Sequence, residues 1–234
     1  MSKELLIDDF RFTRFSKPAL TASGVDGPWV KADTSAAGSP TVQTNGKFME
    51  LALTNTNEAQ NLCLYMGDVL PYDIDDLVQL DIWAKLSAAL AAAVSVALGL
   101  ASARNDDPDV IAEQALFRII GNNNLLVESD DGTNNNDDVA TGLTLSTTVR
   151  RLSISFKEGI NTVAGGLSTG GKSNVIFSAE NGQGNLRRVA ETTRFNLEAY
   201  AGGFQPYFQI QKTADAATGT LSIERVRVVY RGHG

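Results

Sequence analysis

The chain has 234 residues, of which 43% are hydrophobic, and a net charge of −7. The acidic balance argues against nucleic-acid binding, which needs a basic surface to displace the counterions of the phosphates. The one cysteine, Cys63, excludes an internal disulfide, and its apolar neighbours predict a buried, unreactive thiol.

Neither a signal peptide nor a membrane span is expected. The first four residues precede only three apolar residues and then two aspartates. The most apolar stretch, Leu86 to Ala103, is interrupted by serines and a glycine, and from Val94 its large residues alternate with small ones. We interpret it as a buried strand entered through an alanine-rich segment.

Period-2 alternation of apolar residues predicts strands along the whole chain. The clearest case is residues 78–86, where Asp81 and Trp83 would point outward. The residues expected to point inward are Val78, Leu80, Ile82, Ala84 and Leu86. The predicted strands cover, in chain order, residues 5–10, 27–30, 49–53, 62–66, 78–86, 94–100, 115–120, 125–127, 143–145, 152–156, 175–177, 195–200, 207–211 and 220–230.

The last predicted strand changes phase. Its apolar residues alternate at Leu221 and Ile223, and then again at Val226 and Val228, with a one-residue shift between the two pairs. Such a shift indicates a β-bulge. A strong strand at the end of the chain requires a partner, and we expect it to pair with the strand at residues 5–10.

These elements predict an all-β protein, an antiparallel β-sandwich or barrel in one domain spanning residues 1–234, with the N- and C-terminal strands paired. More than ten short strands at fairly regular spacing, without a convincing amphipathic helix, are typical of this class. No linker, change of composition or repeat divides the chain.

Catalytic residues are not predicted. The only histidine, His233, is one residue from the end of the chain, where nothing would hold it against a substrate, so triads that need histidine are excluded. A glycosidase with two carboxylates stays formally open, but the acidic residues fall mostly in turns rich in asparagine and glycine. We therefore expect a protein that is not an enzyme, with no cofactor and no assigned metal ligand.

The loop Asp130–Asp138 offers many oxygen atoms of the kind that calcium prefers. It lacks the EF-hand order, and aspartate and asparagine are also ordinary turn residues, so a polar hairpin tip is the simpler interpretation. Calcium binding here stays an open alternative. The same ambiguity applies with less force to Asn105–Asp109 and Asp73–Asp76.

Residues Gly166–Ser173 match the P-loop motif of phosphate-binding proteins at every fixed position. A P-loop opens a helix after a buried parallel strand, whereas Val175–Phe177 predicts another strand. We interpret the match as accidental.

Tryptophan and tyrosine side chains on a sheet face can stack on a sugar or anchor a protein interface. Trp29 follows a Gly-Pro turn, Trp83 lies on the polar side of its strand, and Tyr207 begins a strand. The pairs Arg150-Arg151 and Arg187-Arg188 are expected at solvated strand edges or in an interface.

Residues 115–230 resemble virion structural proteins of tailed bacteriophages that have a concanavalin-like, laminin-G-like jelly-roll domain. The resemblance is carried by these segments: Glu128–Gly132, Leu152–Phe156, Phe195–Leu197, Gly202–Lys212 and Gly219–Val229. In such proteins the closing strand alternates small, apolar and acidic residues, as Ile223, Glu224, Val226 and Val228 do here. The resemblance implies an antiparallel jelly-roll β-sandwich.

The resemblance also implies a role without catalysis, as a capsid decoration (cement) protein. Such a protein would be assembled in the host cytoplasm, bind the major capsid protein on the virion surface as a homotrimer and contact neither nucleic acid nor membrane. The alternative is a carbohydrate-binding module of a virion fibre or surface protein that binds a surface glycan, with or without calcium. A glycoside hydrolase or lyase is a third hypothesis.

Overall fold

The computed structural model describes residues 4–12, 19–20, 25–156 and 171–232. Within these ranges the chain forms strands, two short 3₁₀ turns and no α-helix. In chain order the strands are β1 (Leu5–Arg11), β2 (Ala19–Leu20), β3 (Val25–Asp26), β4 (Trp29–Asp33), β5 (Thr41–Asn45), β6 (Phe48–Ala52), β7 (Gln60–Tyr65), β8 (Tyr72–Asp73), β9 (Leu77–Leu86), β10 (Val94–Ala101), β11 (Glu113–Ile120), β12 (Asn124–Asp131), β13 (Asn135–Thr144), β14 (Arg150–Ser155), β15 (Ile176–Glu180), β16 (Leu186–Arg188), β17 (Gly203–Lys212) and β18 (Thr220–Arg231).

Two antiparallel sheets form a sandwich, which confirms the predicted fold class. The first sheet has the order β16-β15-β14-β9-β18-β6-β5-β2, and β1 also pairs with β18. The second sheet has the order β13-β12-β11-β10-β17-β7-β4-β3, and β8 also pairs with β17. Strands distant in sequence are therefore neighbours in both sheets.

Strand β18 is the centre of the first sheet. One edge pairs with β9 from Leu221 to Tyr230. The other edge pairs first with β6 and then, from Arg225 to Arg231, with β1. The predicted pairing of the two terminal strands is thus confirmed. So is the predicted bulge, because the register with β9 shifts between Ile223 and Arg225 and leaves Glu224 without a partner in that ladder.

The main core lies between the sheets and contains the residues predicted to point inward from β9 except Val78. Val78 is buried but lies outside this cluster, where the register with β18 shifts and Leu77 enters the core instead. Trp29 is 2% exposed and packs within 6 Å of three other rings, since its centroid lies 5.3 Å from Phe10, 5.6 Å from Phe12 and 5.8 Å from Phe208. Burial of such large apolar surfaces is the main contribution to folding. Trp29 is therefore a core residue, and its predicted contact with a ligand is wrong.

A smaller apolar cluster lies on the other side of the second sheet. It contains Cys63, Ala97, Leu116 and Tyr207, which alternate with main-core residues along their strands. Ile111, from the loop between β10 and β11, completes it. The second sheet is thus buried on both faces. Burial raises the pKa of the Cys63 thiol to about 12, as expected for the unreactive cysteine that the sequence predicts.

Several details of the secondary structure differ from expectation. The strands β2, β3, β5, β8 and β16 are not predicted by the sequence pattern. Residues 195–200 form turns and one isolated bridge, between Phe195 and Val175, instead of a strand. The turns form because the Asn196 side chain accepts a hydrogen bond from the Glu198 amide and Leu197 O accepts one from the Tyr200 amide. Strand β13 is also longer than predicted. Among the described residues no helix is long and apolar enough to cross a membrane.

Replacing Gly99 with alanine should destabilise the sandwich. A Cβ atom at this position of β10 would lie 2.3 Å from the carbonyl oxygen of Ala115 and 3.0 Å from Leu116 Cα, so the backbone of β11 would have to move. We expect the free energy of unfolding to fall by about 1–3 kcal/mol in urea denaturation. Ser95→Ala, in the same strand, is the control and should change it little. Equal stability of the two variants would contradict the packing described here.

Candidate functional site

The outer face of the second sheet carries a polar site beside its apolar cluster. The loop of residues 102–112 folds across this face, and the Tyr207 hydroxyl donates a hydrogen bond to its backbone at Asn105 O, 2.8 Å away. Tyr207 is fully buried beneath the loop. The prediction that Tyr207 stacks on a sugar is therefore wrong, because its ring supports the loop instead.

Four residues next to this loop form what we call the amide cluster: Asn61, Asp106, Gln209 and Gln211. Asn61 and Gln211 face each other in the register of β7 and β17, and Gln209 shares their face because side chains repeat every two residues. Gln209 Nε2 donates to Asn61 Oδ1 at 2.8 Å and to Gln211 Oε1 at 3.1 Å. Asp106 O accepts from Asn61 Nδ2 at 2.7 Å.

The members of the cluster differ in exposure. Gln209 is buried, Asn61 and Gln211 are half-buried, and the Asp106 side chain is exposed. Hydrogen bonds to a buried neighbour hold the two accessible amides in fixed orientations. The cluster thus presents fixed donors and acceptors to solvent.

A pocket of about 220 Å³ opens at the amide cluster. The exposed Thr34 hydroxyl donates to Asp106 Oδ1 at 2.6 Å, and Arg104 pairs with the same carboxylate. Hydroxyl, amide and carboxylate groups therefore converge at one opening, as is typical of sites for small polar ligands. The pocket is lined by Thr34, Ala36, Ala59, Gln60, Asn61, Asp106, Gln211 and Lys212.

Tyr65 is the half-buried aromatic residue of this face, and sequence reasoning missed it. It packs on the edge of the cluster around Cys63 and Tyr207. Burial, with a smaller contribution from the Asp68 carboxylate, raises the pKa of its hydroxyl above the usual value. The alternation of β7 could have identified it, since Asn61, Cys63 and Tyr65 share one face of the strand.

A buried ion pair lies farther along the same face. Arg118 Nη1 lies 2.7 Å from Glu128 Oε1, and it also contacts Asp109 of the covering loop. Among the described residues Glu128 Oε2 has no hydrogen-bond partner. Burial outweighs the attraction of Arg118 and raises the pKa of Glu128 to about 7. A carboxyl with such a pKa suits general acid catalysis, but this one is sealed from solvent.

The stability of the protein should decrease as the pH rises from about 4.5 to about 7. Folded Glu128 holds its proton more tightly than unfolded Glu128, whose pKa is near 4.5. Proton binding at Glu128 therefore stabilises the folded state, and this contribution to the free energy of unfolding is lost as the pH rises through the two pKa values. Urea denaturation across this range should show the decrease in the native protein. The decrease should be much smaller in Glu128→Gln, whereas Glu58→Gln, at an exposed site, should retain it. An unchanged pH profile in Glu128→Gln would contradict the assignment.

The loop Asp130–Asp138 forms a tight hairpin between β12 and β13. The Asp131 carboxylate accepts hydrogen bonds from the amides of Thr133 (3.0 Å), Asn134 (2.6 Å) and Ala199 (2.9 Å). These bonds stabilise the turn. They also occupy the carboxylate oxygens that a calcium ion would need as ligands. Nowhere in the part of the chain that the structure describes do three or more acidic, histidine or cysteine residues form a group that could hold a metal ion.

The other two acidic loops use their carboxylates and amides in the same way. Asn105 Oδ1 accepts from the Asp107 amide at 3.0 Å, and Asp107 Oδ1 accepts from the Asp109 amide at 3.2 Å. Asp73 Oδ1 accepts from the Asp75 amide at 2.9 Å. These local bonds are those of ordinary turns.

Only the end of the P-loop-like segment lies in the described ranges, because residues 157–170 are outside them, as is His233. Lys172 begins a three-residue 3₁₀ turn and is followed closely by β15, so the strand predicted here is confirmed. Its Nζ lies 2.8 Å from an Asp75 carboxylate oxygen and 3.0 Å from Tyr200 O. The lysine therefore joins two loops.

Trp83 lies on the outer face of the first sheet, half-buried among arginines from both neighbouring strands. The guanidinium carbon of Arg225 lies over its ring at 4.7 Å from the centroid, that of Arg151 at 5.4 Å and that of Arg227 at 5.9 Å. These cations stack on the indole and occupy the surface that a sugar ring would need. Of the three predicted aromatic candidates, none presents a free ring face.

Asp81 lies beneath these arginines and is fully buried, although its place on the outer side of β9 predicts exposure. Arg151 Nη2 lies 3.0 Å from Asp81 Oδ1, and Arg227 Nε donates to Asp81 Oδ2 at 3.0 Å. One carboxylate thus connects β9, β14 and β18. The arginines that cover it come from distant parts of the sequence.

Asp81→Asn should cost about 2–3 kcal/mol of stability. Breaking a fully buried ion pair costs about 3–5 kcal/mol, and the partial exposure of both arginines reduces that value. Urea denaturation measures the loss. The control is Glu224→Gln, which removes an exposed ion pair with Lys47 and should cost less than about 1 kcal/mol. Similar losses of stability in both variants would show that the buried Asp81 ion pairs contribute no more than the exposed pair of Glu224 and Lys47.

Comparison with known proteins shows similarity in structure only. No family model and no curated protein matches the chain. A protein of unknown function from Shewanella oneidensis MR-1, SO2946, is 12% identical with a TM-score of 0.53, over 99% of this chain and 88% of that one.

Two carbohydrate-related structures are similarly close in fold. The carbohydrate recognition domain of Emp47p is 10% identical with a TM-score of 0.53, over 93% of this chain and 96% of that one. The exoplasmic/lumenal domain of VIP36, in its form bound to Ca²⁺ and Man3GlcNAc, is 9% identical with a TM-score of 0.52, over 88% and 85%. At these identities the similarity shows the fold alone, a concanavalin-like antiparallel β-sandwich.

Proposed function

We propose that the protein binds carbohydrate, without catalysis, in the pocket at the amide cluster. The observation that carries the proposal is the pair of half-buried amides, Asn61 and Gln211, oriented by the buried Gln209 and accompanied by the Asp106 carboxylate. Two proteins of the same fold, Emp47p and VIP36, are described as a carbohydrate recognition domain and as bound to a mannose-containing glycan, which supports the proposal.

The chemistry of the pocket suits sugar hydroxyl groups. Each hydroxyl both donates and accepts hydrogen bonds, and a side-chain amide offers both functions within one planar group. The Asp106 carboxylate only accepts, so it would orient a hydroxyl that donates to it. Because the amides are already held in place, binding would lose little side-chain entropy.

The size of the pocket limits the ligand. Its volume of about 220 Å³ is below the range of about 300–1,000 Å³ that is usual for drug-sized ligands. One sugar residue would therefore enter the pocket, and the rest of a glycan would extend across the surface. Tyr65, on the same face, provides an aromatic side chain for such contacts.

Capsid decoration receives less support. The segments that resemble phage virion proteins are strands and turns, and the same strands and turns build the lectin-like sandwich described above. None of the contacts described here points to a capsid. The major capsid protein as partner, the homotrimer and the virion location stay predictions.

Binding to a glycan array tests the proposal. Asn61→Ala and Gln211→Ala should each weaken binding about tenfold or more, since each removes hydrogen bonds worth about 1.5 kcal/mol to the ligand. Gln43→Ala is the matched control, because it removes a partly exposed amide from β5 in the first sheet. It should leave binding unchanged. Absence of any glycan binding, or equal binding by all variants, would refute the proposal.

A further inference from the structure

We infer that the Lys212 ammonium group is a built-in cation that orders the rim of the pocket, so that ligand binding there requires no calcium. The part that concerns the ligand rests on the proposed function. The part that concerns the order of the rim does not. Each part has its own measurement below.

Lys212 ends β17, and its side chain is 4% exposed. Its Nζ lies within hydrogen-bonding distance of four backbone carbonyl oxygens, which share its three N–H donors: Thr54 O at 2.7 Å, Thr56 O at 2.6 Å, Asp215 O at 2.8 Å and Ala217 O at 3.0 Å. Within the described residues no carboxylate forms an ion pair with it. The group therefore sits in a shell of neutral carbonyl oxygens, as a small monovalent ion would.

This shell joins two loops at one end of the second sheet. Thr54 and Thr56 belong to the connection between β6 and β7, and Asp215 and Ala217 to the connection between β17 and β18. A buried ammonium group without hydrogen-bond partners costs several kcal/mol. Neither loop can therefore move away without removing acceptors from the charged group. The two loops are thereby fixed together.

The same loops form part of the pocket. Lys212 faces Gln60 across the ladder of β17 and β7, and both residues line the pocket. Gln60 accepts a hydrogen bond from the Thr54 amide at 2.9 Å and donates to Ala37 O at 3.0 Å, which adds a third loop. Gln211, next to Lys212 in β17, belongs to the amide cluster. The position of the ammonium group is therefore coupled to the position of the ligand-binding amides.

A calcium ion does not fit the residues present. Calcium takes 6–8 oxygen ligands at about 2.3–2.6 Å and usually includes carboxylates. The Asp131 carboxylate already accepts amide hydrogens in a turn, and the Asp106 carboxylate at the pocket already pairs with Arg104 and accepts from the Thr34 hydroxyl. The group that binds the carbonyl oxygens at the pocket is a covalently attached cation. A divalent ion beside Lys212 would also be repelled. The cation at this rim is thus part of the chain.

Hydrogen exchange tests the order of the rim directly. Lys212→Met keeps the length of the side chain and removes its charge, so the amides of residues 54–59 and 213–218 should lose protection. Lys31→Met is the matched control, because Lys31 is equally buried but donates to Pro40 O at 3.0 Å and pairs with Asp33, outside the two loops that Lys212 joins. It should leave those amides protected. Full protection in Lys212→Met would overturn the inference.

Ion rescue separates the charge from the hydrocarbon stem. In Lys212→Ala the carbonyl oxygens would be free, and potassium or ammonium chloride should restore protection better than lithium chloride does. Failure of all three salts to restore it would show that packing, and not charge, orders the loops.

In the native protein, protection of the rim amides should be the same with calcium and with a chelator, and this measurement needs no variant. Protection that depends on calcium would also overturn the inference.

The glycan array then tests the part that depends on ligand. Binding by the native protein should survive the chelator, and Lys212→Met should bind about tenfold or more weakly, while Lys31→Met binds normally. Binding abolished by the chelator would refute calcium independence. Loss of rim protection in Lys212→Met, together with no glycan binding by any form, would sustain the structural assignment of Lys212 and refute the proposed function alone.

Discussion

The fold depends on β18 having hydrogen-bond partners on both edges. Its ladder with β9 joins the two halves of the first sheet, and its other edge receives β6 and β1 in succession. Unpaired backbone groups in the middle of a sheet would be costly, so the remaining strands take their order around this one. The bulge at Glu224 keeps Leu221 and Ile223 in the same core as Val226 and Val228, although two outward residues separate the pairs.

Buried charges organise the surfaces outside this core. Asp81 connects three strands of the first sheet by holding two arginines, and Lys212 connects two loops of the second by holding carbonyl oxygens. In both cases one charged side chain fixes segments that apolar contacts alone would leave free to slide. On the first sheet the arginines that cover Asp81 also close the faces of Trp83. On the second, the segments around Lys212 border an opening lined with amides.

The strands were largely predictable because alternation is a local property. The inward residues of β9 and the bulge in β18 follow from residues adjacent in sequence. The pairing of the termini follows from the need of a strong last strand for a partner. Exposure on the outer faces was not predictable in that way. Tyr207 is covered by the loop of residues 102–112, and Asp81 by Arg151 and Arg227, from distant parts of the chain. Asn61, Tyr65, Gln209 and Gln211 occupy strand positions that the sequence does not single out, and only the register of β7 with β17 brings them together. Asp106 joins them from the loop of residues 102–112.

The pairing of β1 with β18 has a consequence for how the protein folds. Leu5 lies opposite Arg231, so the ladder joins residues separated by almost the whole chain. Contacts of such high sequence separation form slowly, because the entropy of closing a long loop is lost before the first hydrogen bond of the ladder forms. Until synthesis reaches β18, β9 also has an open edge at the centre of its sheet, a template for association with other chains. Folding of this sandwich is therefore completed only after β18 has been synthesised, and its vulnerable species is the nascent chain that ends before β18.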